Sequence, residues 1–275
     1  APLARAGRRD CAATASAVNG GPRDGWRVLA TRPLATAAEL AAAIEGAGGK
    51  AVRFPVIEIV ARDAGDIGKD LTALPDPDIA IFVSRNAVRY GASLFDASRT
   101  TIAAIGPSTA TALSAAGVSP HVVPDGGFDS EALLAHRDLA DVAGKSVVIV
   151  RGDGGRATLG ETLEARGASV HYLETYRRAR AEPGEAGREA LNDLLRHDSV
   201  DCITVMSVAS LENLVSLLDA DTVEHLKNRP LVAPGSRVIQ TAERLLPGIR
   251  AFAATGPGAD DMLGALIALR HSGTS

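Results

Sequence analysis

From Trp26 onward, short apolar runs alternate with amphipathic stretches, and the series is written twice in the same order. "WRVLATRPLATAAELAAAIEGAGGKAVRFPVIEI" aligns with "KSVVIVRGDGGRATLGETLEARGASVHYLETYRR", setting Arg32 against Arg151 and Gly48 against Gly167 at a spacing of 119. "DIAIFVSRNAVRYGASLF" aligns with "DCITVMSVASLENLVSLL", pairing Ser84 with Ser207 at 123, and "IAAIGPSTATALSAAG" aligns with "PLVAPGSRVIQTAERL", pairing Ser108 with Ser236 at 128. Alternating strands and helices imply a parallel sheet covered on both faces. The fold class expected is therefore α/β, with two similar doubly wound parallel-sheet domains.

Each unit has local reasons to form. Leu211, Leu214, Val215 and Leu218 recur at the spacing that lays one apolar stripe along a helix. Ser84 and Ser207 stand between a strand and such a helix, where a hydroxyl can accept from an exposed N–H. Gly48, Gly117 and Gly167 follow helices at the position where a left-handed residue ends them.

At 275 residues, 46% apolar and 23% charged, the composition is that of a globular chain, and no run reaches the ~18 apolar residues a membrane-spanning helix needs. A net charge of -4 offers no global attraction for nucleic acid or anionic lipid, so an anion site has to be local. Cys11 and Cys202 read as free thiols of a reducing compartment, Cys202 being structural rather than nucleophilic. The histidines are spread singly without zinc-ligand spacing, and no metal is expected. Residues 1–25, with Arg5, Arg8 and Arg9 among Ala, Gly and Ser, read as a disordered extension in preference to a transit peptide and are left out of the fold.

The stretch "IVRGDGGRATL" raises a separate question. Gly152 to Ala157 spell G-x-G-x-x-A after an apolar strand, and Glu174 follows where a nucleotide-binding fold carries an acidic residue. That outline supports an NAD-binding oxidoreductase. Against it stand Arg151 ahead of the turn, Asp153 inside it, and the matching first-half turn "ATRPLATAAEL", which has no glycine. A third reading is a plain tight turn whose arginines are solvated or pair with Glu161.

"VLATRP", "FPVIEI", "IAIFVSRNAV", "IAAIGPSTATAL", "VIVRGDGGRATLGETLEARGASV", "ETYRR" and "VMSVASLENL", in this order, resemble the uroporphyrinogen-III synthase family over residues 26 to about 269. The resemblance implies a cofactor-independent lyase that cyclises hydroxymethylbilane to uroporphyrinogen III with inversion of ring D. Water would leave the substrate with acid assistance, and ring D would be inverted through a spiro intermediate. It also implies that residues 26–54 and 179–270 make one discontinuous domain and 61–171 the other. Residues 55–60 and 172–178 would link them as a two-stranded β-ladder, with a cleft between the domains.

The same resemblance supplies site residues. Tyr176 matches the family's tyrosine and is the expected proton donor, since phenols keep their proton at neutral pH. Substrate carboxylates would meet strand-to-helix turns carrying Thr31, Arg32, Ser84, Asn86, Gly106, Ser108, Thr109, Arg151, Gly152, Arg156, Ser207 and Ser236. At Ser84, Ser207 and Thr109 helix capping is an equally available role. The expected setting is cytoplasmic, as a monomer, with neither nucleic acid nor membrane as partner. A non-catalytic ligand-binding or regulatory protein on the same scaffold is the rival reading, disfavoured by the lack of a basic helix-turn-helix segment up to Ser275.

Overall fold

The computed structural model describes residues 25–125, 127, 129–155 and 157–272; the extension expected at residues 1–25 lies, apart from Gly25, outside them. The chain begins with β1 (Arg27–Ala30), α1 (Leu34–Gly46), β2 (Lys50–Arg53), β3 (Ile57–Ala61), α2 (Ala64–Thr72), β4 (Ile79–Phe82) and α3 (Arg85–Gly91). It continues through β5 (Thr101–Ala104), α4 (Pro107–Ala115), α5 (Ser130–Leu134), β6 (Ser146–Gly152), α6 (Thr158–Ala165) and β7 (Ser169–Arg180). The last part holds α7 (Gly184–Arg196), β8 (Cys202–Thr204), α8 (Val208–Ser216), α9 (Ala220–Lys227), β9 (Leu231–Pro234), α10 (Ser236–Leu245), β10 (Ala251–Ala254) and α11 (Ala259–Ser272).

Two compact units result, one of the described residues up to Glu58 with those from Arg180 on, the other of Ile59–Ala179. In the first, five strands lie in the order β10-β9-β8-β1-β2, with every neighbouring pair parallel. In the second the order is β3-β7-β6-β4-β5, parallel from β7 to β5. The written repeat is thus a repeat of topology: β2, β1, β8 and β9 occupy one sheet in the order that β7, β6, β4 and β5 occupy in the other. Even the edge is echoed, since Val122 bridges Ala103 in parallel beside β5, where the first sheet has β10.

Alternation along the strands shows why both faces are covered. Leu29, Ile203 and Ala233 face a core with Leu191 and Leu195 of α7, Leu211 and Leu214 of α8 and Ala242 of α10. Their neighbours Val28, Cys202 and Val232 face the opposite core, with Leu40 and Ile44 of α1 and Met262 and Leu266 of α11. The second unit divides the same way: Phe82, Ile102 and Val150 pack with α3 and α4, while Ile81, Ala103 and Ile149 pack with α5 and α6. Each fully buried Leu, Ile or Val contributes roughly 1.5–3 kcal/mol of transfer free energy, so uninterrupted apolar strands are what such a sheet requires.

Helix ends follow the glycine pattern. Gly48, Gly117 and Gly167 have φ of 76°, 80° and 87°, and each closes a helix with a paired return of N–H groups, as where Ala168 donates to Leu163 and Gly167 to Glu164.

The chain passes between the units within β3 and within β7. Here Arg62 N–H donates to the Thr175 carbonyl and Ala181 N–H to the Val56 carbonyl; the partners advance along one strand as they recede along the other, so this ladder is antiparallel. Residues 172–178, expected as a linker, lie inside one unbroken strand, because β7 from Ser169 to Tyr176 is already a member of the second sheet, paired with β6. Among the described residues no helix is long and apolar enough to cross a membrane.

Candidate active site

Strand β7 carries an irregularity that decides where its tyrosine points. Arg151 pairs with Glu174, but Gly152 pairs with Tyr176, leaving Thr175 as the extra residue of a bulge. Strict alternation from Leu173 would put residue 175 on the face that Leu173 shares with α3 and α4, and residue 176 on the other. The extra residue shifts the parity, and Tyr176 joins Leu173 in that core, only 2% exposed.

Its ring needs Gly152. A Cβ at that position would stand 2.5 Å from Cε2 and 2.6 Å from Cζ of Tyr176, so only a bare Cα lets the phenol lie against the backbone of β6. Tyr90 of α3 closes the arrangement, its ring centroid 6.0 Å from that of Tyr176 and tilted by 38°. The hydroxyl ends on Ser84: Tyr176 Oη and Ser84 Oγ are 3.0 Å apart. Ser84 is also the N-cap of α3, its Oγ accepting from Ala87 N–H at 3.0 Å.

The geometry at Gly152 and Asp153 differs from that of a nucleotide-binding turn. Gly152 faces a tyrosine ring, so its Cα is not open to a pyrophosphate. Asp153 donates its N–H to the Tyr176 carbonyl and accepts from Arg178 N–H, each at 2.9 Å, which fastens the turn to β7 and gives its carboxylate a backbone partner. Gly154 and Gly155 take φ of 66° and 126°. Arg156, a candidate for carboxylate binding, lies outside the described residues. Arg151 is half-buried and engaged: its Nη2 is 3.2 Å from Glu174 Oε1, and its guanidinium carbon sits 3.9 Å over the centre of the Tyr172 ring.

Other candidates of this unit gather at the carboxyl ends of neighbouring strands, where open α/β sheets bind ligands. Ser84 and Asn86 follow β4, and Gly106, Ser108 and Thr109 follow the adjacent β5. Ser108 is exposed, whereas Thr109 is 2% exposed and turned into the fold. Helices α4 and α6 begin without a side-chain cap, unlike α3, so their first-turn N–H groups are not satisfied by a capping side chain.

In the first unit two expected contacts turn inward. Thr31 is fully buried and donates its hydroxyl to the Thr204 carbonyl at 2.8 Å, tying β1 to β8, and buried Arg32 donates through Nη2 to the Pro257 carbonyl. Both serve the fold, because burial left their donors needing protein acceptors. Ser207 caps α8 as Ser84 caps α3, accepting from Ser210 N–H at 3.1 Å, and it also bonds Ser210 Oγ at 2.9 Å. Ser236 is exposed at the start of α10, whose N-cap is Gly235. Since Gly106 caps α4 in the same way, the equivalent residues are 129 apart, and the alignment of Ser108 with Ser236 shifts by one: Ser236 matches Pro107.

A groove of about 420 Å³ between β10 and α11 in the first unit is lined by Thr255, Asp260, Asp261 and small residues. Asp261 is already held by Thr255 Oγ1 at 2.7 Å and Gly258 N–H at 3.2 Å. Two carboxylates make this groove unsuited to an anionic ligand. Burial pushes the Cys202 thiol up to about 12, which agrees with a structural role. Tyr90 and Tyr172 are the site residues that sequence reasoning missed. Each is recognisable only through the partner its ring finds in three dimensions.

Comparison with known proteins bears on what this arrangement is for. The family model for uroporphyrinogen-III synthase, HEM4 (HemD), matches residues 38–264. The uroporphyrinogen-III synthase of Salmonella typhimurium is 34% identical over 234 residues, covering 79% of this chain and 88% of that protein. Among solved structures, a mutant uroporphyrinogen III synthase from the extremely thermophilic bacterium Thermus thermophilus superposes with a TM-score of 0.52 at 23% identity, covering 90% of this chain and all of that one. The uroporphyrinogen-III synthetase of Helicobacter pylori superposes with a TM-score of 0.58 at 14% identity, covering 89% of this chain and all of that one. Both superpositions show the same α/β fold.

Proposed function

The chain belongs to the uroporphyrinogen-III synthase family, a family of hydro-lyases, and from that premise we propose that it cyclises hydroxymethylbilane with the phenol of Tyr176 as the proton source. The observation that carries this reading is the Tyr176 hydroxyl held 3.0 Å from Ser84 Oγ at the carboxyl-end edge of the second sheet. The first unit has no counterpart, since the residue one repeat earlier than Tyr176, at a spacing of 119, is Ile57.

In the first step the hydroxyl of the substrate's hydroxymethyl group takes a proton, its C–O bond breaks, and water leaves an azafulvene cation. The electron-rich pyrroles supply the driving force. What the protein contributes is conformation: it must hold the chain so that ring D is attacked at its substituted position before the unassisted closure to the symmetric isomer occurs. Within the second unit, substrate carboxylates meet the starts of α4 and α6, where no side chain caps the helix and the dipole favours an anion. Exposed Ser108 lies in the first turn of α4 and Asn86 in that of α3, while exposed Ser236 begins α10 in the first unit. Thr31 and Arg32 act from behind, holding the first unit's strand ends together. A cytoplasmic setting belongs to the same proposal and agrees with the buried free thiol of Cys202.

The test is to generate hydroxymethylbilane in situ, add the protein and identify the isomer formed. Accumulation of the type III product supports the reading, and the type I product alone refutes it.

A further inference from the structure

We infer that Ser84, and not Tyr176, is the group that touches the departing hydroxyl, and that the two residues form a proton relay. This rests on the functional reading above and sharpens it. Tyr176 is packed within the core of the second unit at 2% exposure, its ring between Gly152 and Tyr90, and its hydroxyl meets Ser84 Oγ. Ser84 is partly exposed at the mouth of α3. A phenol that sits behind a serine delivers its proton through that serine.

The hydrogen-bond inventory of a hydroxyl is one donor and two acceptor sites. Ser84 Oγ accepts from Ala87 N–H and lies 3.0 Å from Tyr176 Oη; in the relay the tyrosine donates to the second acceptor site of the serine, whose own O–H then points outward. The bond to Ala87 fixes the oxygen, so the outward direction is set by the start of α3 and not by a freely turning side chain.

Ser84 gives its proton to the substrate hydroxyl as the carbon–oxygen bond breaks and water leaves; Tyr176 gives its proton to Ser84 Oγ, becoming a phenolate. When ring closure restores the last pyrrole, the proton expelled from carbon returns through Ser84 to the phenolate. No oxidant, reductant or further reactant is consumed.

The cap and the relay make different demands on residue 84, which gives the test. Threonine satisfies both, asparagine caps a helix but has no hydroxyl, and alanine does neither. On purified full-length protein forming the type III isomer, S84T retains kcat within about threefold, while S84N and S84A each lose about a hundredfold in kcat with little change in KM. Combining S84A with Y176F costs no more than either change alone. A proton inventory of wild-type kcat in mixtures of light and heavy water curves, as two protons in flight require. Full activity in S84N, or a linear inventory, overturns the relay. Loss of activity in Y176F with S84A unimpaired also overturns it and leaves the tyrosine acting directly. Full activity in Y176F removes the phenol from the chemistry and both readings with it, whereas a rise confined to KM in the serine variants returns Ser84 to carboxylate binding alone.

Discussion

Tyr176 Oη and Ser84 Oγ lie 3.0 Å apart although 92 positions separate them in the chain. Three features bring this about: the bulge at Thr175 turns the ring toward α3, the missing side chain of Gly152 gives it room, and the cap at Ala87 holds its partner. Disturbing any of them has a definite consequence.

Replacing Tyr176 by phenylalanine keeps the ring in its seat and removes one hydroxyl. The expected loss is about a hundredfold in kcat, against about 1 kcal/mol of stability for one hydrogen bond. Steady-state assay and thermal unfolding of the same preparation check this; a loss of activity explained by unfolding would count against it.

Gly152→Ala inserts a methyl 2.5 Å from a ring carbon of Tyr176, inside van der Waals contact, so ring or strand must move. Overpacking of this kind costs about 1–3 kcal/mol, and the displaced hydroxyl leaves Ser84. Activity falls at least as far as in the phenylalanine variant, and a crystal structure of the alanine variant has Oη beyond hydrogen-bonding distance of Ser84.

Stability rests most visibly on Arg229, which is 4% exposed and joins the ends of three elements. Its guanidinium donates to the carbonyls of Val200 at 3.0 Å, Leu195 at 2.6 Å and His225, and meets Asp198 Oδ1 at 2.5 Å. Arg229→Ala strands the buried carbonyls of Val200 and Leu195, while exposed Asp198 returns to water, and is expected to cost about 1–3 kcal/mol, read as a fall in the midpoint of denaturant unfolding. Chemistry in the second unit is untouched, so activity measured well below the unfolding midpoint should persist.

The Cys202 thiol gives a pH prediction. Burial raises it from 9.0 to about 12, because the thiolate would have to lose its hydration in an apolar core. A group raised on folding contributes stability below its unfolded value and loses it as pH climbs through the interval, here between 9.0 and about 12. In a Cys11→Ala background, Cys202 should resist a thiol reagent at pH 8 until the chain is unfolded. Rapid labelling of the native protein would contradict this burial.

The sequence by itself determined the α/β class, the doubling of the motif and the helix ends. Apolar alternation, capping serines and left-handed glycines are local demands, met by Ser84, Ser207, Gly48, Gly117 and Gly167 wherever the units finally pack. Tertiary structure alone decided what the glycine-rich turn is for and which way Tyr176 points. A bulge alters the parity of a strand through pairing with a distant neighbour, and a glycine that makes room for a ring looks in sequence like one that makes room for a phosphate. The inward fates of Thr31 and Arg32 were hidden for the same reason: their acceptors, the Thr204 and Pro257 carbonyls, are backbone groups far along the chain that no pattern of side chains announces.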